Sequence, residues 1–494
     1  MSRKNLYYML LILGITNLHF EEYFGLNILI STLLFIIYHL ITSKHTVHYS
    51  MHWMMALGLL FCNAFAIVLT GHSASFIWFI FALFYFISIH YKASATFPFA
   101  LAHGFGNFFE GVYLLYTDLV LRFQKQENQS PKNSPYQVLI YVIPTLIILL
   151  FLKLYQAADA TFYAWTKFIN LDWISWPFLA LFLILTIFLY GINHFRANEE
   201  LIKMEAKKKQ YIDVEQTDRL HHFLGFETES KIALTLFITL SLLLSLYLII
   251  DLSVIILELP APDTNFKYSQ FLHQGVASLI LSIILVILLV NLVFRGRMNT
   301  DAGNRVKKIA LFWLFLNLMM VVTTAIKNHE YIIHWGLTYK RIGVHIYLLL
   351  AAIGLILTWI KVRKGETVWV LVRKTTLLFY TCFSLNGLMN WDKLIVNYNL
   401  TSLPAEQVDF HYLAVMQDEA YPRLIAYYAE HPLAAQAMLS AEEWDDLFIC
   451  YNWKRNQLRM KNLNSTWRSF TIYEYDLLQR LEAVYPLYLT IIQS

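Results

Sequence analysis

Eleven apolar runs of 15 to 26 residues follow one another between Leu6 and Met389, and they leave no room for a water-soluble fold. They are Leu6–Phe20, Gly25–Thr42, Met54–Thr70, Ser75–Tyr91, Tyr136–Leu152, Pro177–Ile192, Ile232–Leu257, Gln270–Phe294, Ile309–Ile326, Ile342–Ile360 and Val368–Met389. About 20 apolar residues in a helix cross a bilayer core. In lipid the backbone must satisfy its own polar groups, which restricts a spanning segment to a helix or a closed barrel. Runs of this length predict helices. The expected fold class is all-α: a polytopic helical membrane bundle of about eleven spans, with a small helical extramembrane domain after it.

Two intervening stretches are apolar on average but carry charge. Ala93–Leu121 contains His103, Glu110 and Asp118 among three glycines, and Lys153–Trp176 contains Asp159, Lys167 and Asp172. Both are expected at the membrane interface and are not counted as spans. The start, with Arg3 and Lys4 before Leu6, resembles a signal peptide but has no small-residue cleavage site, so it reads as an uncleaved first span. Asn193–Lys231, with Lys207, Lys208 and Lys209, is expected to carry the preceding helix out into water.

Charge orients the bundle, because Lys and Arg beside short loops stay on the cytoplasmic side. With the amino terminus inside, 24 cations fall inside, 6 fall in the outer loops and 8 follow Met389. That bias predicts a cell (inner, cytoplasmic) membrane protein with its carboxyl terminus outside. The expected domains are residues 1–389, the bundle, and 390–494, an extracytoplasmic helical domain. In the latter, Ser440 with Glu443 and Thr471 with Glu474 have capping-box spacing, and Trp444, Phe448, Tyr451, Leu477, Leu478 and Leu481 supply buried faces. Its 8 cations face 13 acids.

Only 15% of the 494 residues are charged, and the net charge of +4 gives no reason to expect a nucleic-acid partner. The expected partners are the lipid bilayer and, through the carboxyl-terminal domain, envelope proteins. Cys62, Cys382 and Cys450 lie far apart and indicate neither a disulfide framework nor a thiolate metal site. No phosphate loop, nucleophile elbow or dinucleotide fingerprint occurs, so no cofactor and no metal is expected.

Several histidine patterns fail as metal sites. His329 and His334 flank a glutamate but sit five apart, where a zinc-protease helix needs i and i+4 on one face. His45, His48 and His52 share a helical face without a nearby carboxylate to orient the rings. Asp218, His221 and His222 read the same way. Asp251 and Glu258 are seven residues apart, a rise of about 10 Å, which is too far for the pair to act alone as acid and base.

The stretch Asn328–Trp359 departs from the charge bias. It places Lys340 and Arg341 at the outer mouth of a span, with His345 one turn deeper on the face of Arg341. Together with Asp251, His273, Lys327, Glu330, His334 and Tyr339, these groups are expected to converge on one outer polar pocket. The candidate ligand-binding residues are Arg341, Lys340, His345, His273, Asp251 and His334; none is assigned a catalytic role. Arg341 is expected to face inward against Asp251 or Glu330, because a guanidinium holds a carboxylate or phosphate through two bonds. The reading is transport or envelope signalling with an anion-binding outer cluster. The alternatives are a membrane-embedded enzyme on a lipid-linked substrate, with His273, His334 or Asp251 as acid or base, and an assembly scaffold.

Three segments carry a resemblance: Tyr268-Ser-Gln-Phe-Leu-His-Gln-Gly-Val, Gly336-Leu-Thr-Tyr-Lys-Arg-Ile-Gly-Val and Asn390-Trp-Asp-Lys-Leu-Ile-Val-Asn-Tyr-Asn. Over residues 265–399 the chain resembles an uncharacterised group of bacterial multi-pass membrane proteins, the domain-of-unknown-function 4153/4173 type. The resemblance implies that Lys340, Arg341, His273 and Asp392 belong to signature segments. It implies no activity.

Overall fold

The structure, a computed structural model, describes residues 3–43, 50–71, 73–91, 96–127, 144–145, 148–149, 151–156, 158–166, 175–212, 225–257, 268–295, 297–299, 303–404, 407–432, 435 and 439–493. The first half contains α1 (Arg3–His19), α2 (Leu26–Thr42), α3 (Met51–Thr70), α4 (Ser73–His90), α5 (Phe97–Glu127), α6 (Ala160–Thr166), α7 (Trp176–Asn193) and α8 (Glu199–Ala206). The second half contains α9 (Phe226–Leu257), α10 (Tyr268–Val293), α11 (Asn304–Trp335), α12 (Tyr339–Lys364) and α13 (Val368–Asn386). The tail adds α14 (Trp391–Ser402), α15 (Phe410–Val415), α16 (Ala420–Glu430), α17 (Ala441–Asn464) and α18 (Ile472–Gln493).

Among the described residues, five helices are long and apolar enough to cross a membrane: α3, Phe226–Ile256 of α9, α11, α12 and α13. Five shorter apolar helices accompany them, at Leu6–His19, Leu26–Thr42, Ala74–His90, Pro177–Asn193 and Ser278–Val293. These ten coincide with ten of the eleven apolar runs; the other, Tyr136–Leu152, lies largely outside the described residues. The molecule is an all-helical integral membrane protein.

Ala93–Leu121, expected as an interfacial element, forms most of α5, a continuous helix of 31 residues packed against α4 and α7. It is not among the apolar helices named above. Glycine allows the close approach: a Cβ on Gly191 would collide with the Asn107 carbonyl, and one on Gly104 would strike the Phe84 side chain. The expected extension of α7 into water does not occur. The chain leaves the helix at His194, where the Asn107 amide donates to the Arg196 carbonyl at 2.8 Å and accepts from the Arg196 amide at 2.7 Å. Asn198 then caps a separate helix, α8. A side chain that satisfies both backbone groups of one residue competes directly with the helix ladder.

Among the described residues, three large apolar cores result, besides a small one of Ile28, Ala64 and Ile67. One joins α1 to α5 and α7, with Tyr380 of α13 inserted among them. A second joins α9, α10, α11 and α12 around Phe237, Phe294, Trp313 and Leu314. The third fills the tail around Leu424, Trp444, Tyr451, Leu477 and Leu481, and it takes in Ile332, Leu337 and Ile342 from the facing ends of α11 and α12. Tail and second bundle therefore share apolar packing. Ser440 and Glu443 form the reciprocal capping box; at Thr471 the hydroxyl accepts from the Glu474 amide at 3.3 Å.

Candidate functional site

Helices α9 and α11 run side by side in register. Phe237 packs on Trp313 with ring centroids 5.4 Å apart, and Asp251 pairs with Lys327, so both contacts have the same offset in sequence. An equal offset along two helices means that they are parallel. The pair is buried, with Asp251 side-chain exposure at 8% and Lys327 at 18%. Tyr247 lies one turn earlier on the same face of α9, close to Asp251. Charges among apolar helices are expensive unless paired, and their presence marks a functional location by default.

An open groove of about 740 Å³ runs below this pair between α9, α10 and α11. Leu240, Leu244, Leu285, Leu289, Trp313 and Met320 are among the residues that line it, as is Tyr247, the lining residue of α9 nearest Asp251. The surface is almost wholly apolar until Tyr247, Ser282 and Asn317. A long apolar slot thus leads toward one buried ion pair.

Residues 327 and 328 diverge by about 100° because they are consecutive on a helix. Lys327 turns to α9, whereas Asn328 turns to α12, donating to the Arg341 carbonyl at 3.1 Å and meeting Nδ1 of His345. The expected pocket residues that are described thus fall into two groups of contacts, made by adjacent residues of α11. Asp251 and Lys327 form one, and Asn328, Arg341 and His345 form the other, with the His329 ring 6.4 Å from that of His345.

Arg341 is half-buried but has neither expected carboxylate. Its guanidinium donates to the Trp335 carbonyl at 2.6 Å and to the Gly336 carbonyl, and lies 4.1 Å from the Tyr331 ring centre. The reason is local. The last carbonyls of α11 lack helical partners, and the cation sits at the negative end of the helix dipole. Gly336, at φ +80, turns the chain sharply enough to bring α12 back within reach. Lys361 repeats the device at the far end of α12, where it is fully buried and donates to the Phe294 carbonyl at 3.0 Å. His334 and Lys340 are exposed. The side chain of His273 lies outside the described residues, as do Glu258, His45, His48, Asp218, His221 and His222.

Two of the three segments that carry the resemblance, those beginning at Gly336 and Asn390, meet each other. The Leu337 amide donates to Asn399 Oδ1 at 2.6 Å, and Asn399 Nδ2 donates to the Leu337 carbonyl at 2.9 Å. Tyr339 donates its hydroxyl to Asp392 at 2.7 Å, while its amide donates to the Tyr412 hydroxyl at 2.9 Å. Beyond this turn, Asn390 donates to the buried Glu419, Glu419 pairs with Arg480, and Arg480 and Lys393 both reach Asp476. Burial pushes the Asp476 carboxyl up, yet Lys393 and Arg480 outweigh it and hold the group below its ordinary value. Two signature segments are thus a joint between the bundle and the tail.

A family model described as a domain of unknown function, DUF4153, matches residues 28–427. The chain belongs to the DUF4153 family. No curated protein and no solved structure matches it. The DUF4153 match reaches well upstream of residue 265 and includes Asp251, Lys327, the groove and the whole Gly336–Asn399 joint. It ends within α16, so Asp476 and Arg480 lie beyond it.

Lys327 and Tyr247 are the groups that sequence reasoning left out of the candidate ligand set. A signal was available. Asp251 and Lys327 each stand near the carboxyl-terminal end of a long apolar run, one acid and one base at matching depth, and charges at equal depth in parallel helices are partners in waiting.

Proposed function

We propose that this DUF4153 member recognises a lipid-borne anion within the membrane and uses that recognition in transport or envelope signalling. The observation that carries the reading is the apolar groove of about 740 Å³ leading to Tyr247 and the Asp251–Lys327 pair. Ligand sites are commonly apolar clefts of roughly 300–1,000 Å³ with a few placed polar groups. An acyl chain fits the slot chemically. Lys327 has three donors and Asp251 engages one of them, so its ammonium can also receive a phosphate or carboxylate head. This cation takes the role that Arg341 held in the sequence reading, since Arg341 is engaged with the end of α11.

Thermal stabilisation of the purified protein by lipids of one chain length tests the proposal. Anionic heads should raise the midpoint more than zwitterionic ones, and Asp251→Asn with Lys327→Gln, a charge-neutral replacement, should abolish the difference. Equal stabilisation by both head types in the native chain would refute it.

A second reading, an enzyme on a lipid-linked substrate, draws on the proximity of Tyr247 to Asp251 at the groove end. Under that reading Asp251→Asn alone would leave binding intact and stop turnover. The bias of 24 inner to 6 outer cations supports an inner-membrane location, with the amino terminus inside and the tail outside, available to envelope partners.

A further inference from the structure

Helix α17 is apolar on two opposite faces. Trp444, Leu447, Tyr451 and Leu458 form the face that enters the tail core. Ile449, Trp453, Met460 and Leu463 form the other, and all are exposed, from 57% at Met460 to 75% at Leu463. At about 100° per residue these four fall within roughly 80° of arc. Trp467, exposed beyond the helix end, continues the line. Packing within the tail explains the first face only.

The position of the helix end says what covers the second. Lys461 lies over the Tyr23 ring at 4.5 Å, Arg468 pairs with Glu22 at 2.8 Å, and the Tyr23 amide donates to the Ser469 hydroxyl at 2.9 Å. The Leu26 amide donates to the Phe470 carbonyl at 3.0 Å. Leu26 opens α2, one of the apolar helices of the bundle, so residues 461–470 are pinned where a membrane-embedded helix begins. Tyr23 and Phe24, at the same level, are exposed as well. Aromatic side chains with an apolar body and a polar edge collect at that boundary.

We propose that the exposed face of α17 rests on the lipid surface, with Trp453, Met460, Leu463 and Trp467 entering the boundary between headgroups and acyl chains. The contact is that of an interfacial helix, which lies on the membrane and does not cross it. Its depth is uneven. The first turns carry Glu442, Glu443, Asp445 and Asp446, which stay in water, so the carboxyl-terminal half sits lower. Contact with lipid is continuous from the bundle through Tyr23 and Phe24 to Trp467, which makes the bilayer itself the partner. The inference does not rest on the ligand proposed above, nor on which side of the membrane the tail occupies.

Photo-crosslinking in nanodiscs tests it on the full chain. A benzophenone side chain is placed singly at Leu463, at Met460, at Glu442 and, as a lipid-facing control, at Leu242 of α9, which is 68% exposed. Intact mass after irradiation reads the product. Lipid adducts at Leu463, Met460 and Leu242 but not at Glu442 are expected. Two results overturn the proposal: adducts at Leu242 alone, or a crosslink from Leu463 to a second copy of the chain in place of lipid.

Discussion

Removing the Lys327 ammonium should strand Asp251. Lys327→Met leaves a carboxylate at 8% exposure, between apolar helices, with its ionic partner gone. Breaking a buried pair from one side costs about 3–5 kcal/mol, and the residual exposure of Lys327 places this case at about 3. That corresponds to roughly a hundredfold loss in the folded-to-unfolded ratio, at about 1.4 kcal/mol per decade. Asp251→Asn should cost less, because the charge it strands, the Lys327 ammonium, is the more exposed of the two at 18% and keeps an amide oxygen as acceptor. The combined Asp251→Asn, Lys327→Met variant should recover most of the loss, since replacing both partners of a buried pair is often close to neutral. The assay is the half-inactivation temperature of the detergent-solubilised protein by size-exclusion, with membrane abundance measured alongside. A double variant whose loss is the sum of the two single losses would show that the two groups do not interact, and the reasoning would be refuted.

Four other outcomes follow from the geometry. Arg341→Ala should destabilise by about 1.5–3 kcal/mol through the stranded carbonyls of Trp335 and Gly336, whereas Lys340→Ala, at an exposed position, should stay within about 0.5; the same thermal assay ranks them. Gly336→Ala should lose at least about 1 kcal/mol, because it combines φ +80 with a Cβ placed 2.6 Å from Asn399 Oδ1; a thermal midpoint equal to the native one would contradict this. Although burial opposes it, hydrogen bonds from Ser469 and Thr466 and the charge of Arg468 hold Glu22 below its ordinary 4.5, so its contribution is complete above that value and disappears as pH falls through the depressed one; Glu22→Gln should flatten the acid limb of a stability profile below pH 4.5. Reporter fusions at Lys208 and Ser494 should read opposite sides of the membrane, and the same side for both would overturn the orientation.

The bundle was legible because lipid imposes one rule on every span, and a run such as Ile309–Ile326 satisfies it in sequence alone. The tail core was legible for a related reason: the spacing of Trp444, Phe448 and Tyr451 announces one helical face. The site was only half legible. A one-dimensional reading places Lys340, Arg341, His345 and Asp251 at the outer side, but it does not show that consecutive residues 327 and 328 point to different neighbours. Nor does it show that Arg341 meets the end of its own helical hairpin before it meets any carboxylate. The break after α7 was hidden too, because it depends on Asn107, a residue from α5 that captures Arg196. Charges were visible in the sequence; their directions were set by packing.

Native mass spectrometry of the delipidated protein tests the central claim most directly, since it counts bound lipid and weighs the head and tail of each molecule retained. The native chain should keep one anionic lipid. That lipid should be lost both in Asp251→Asn, Lys327→Gln, which removes the head contact, and in Ser282→Phe, which fills the groove between α9 and α10. Retention of the same lipid by both variants would contradict the account.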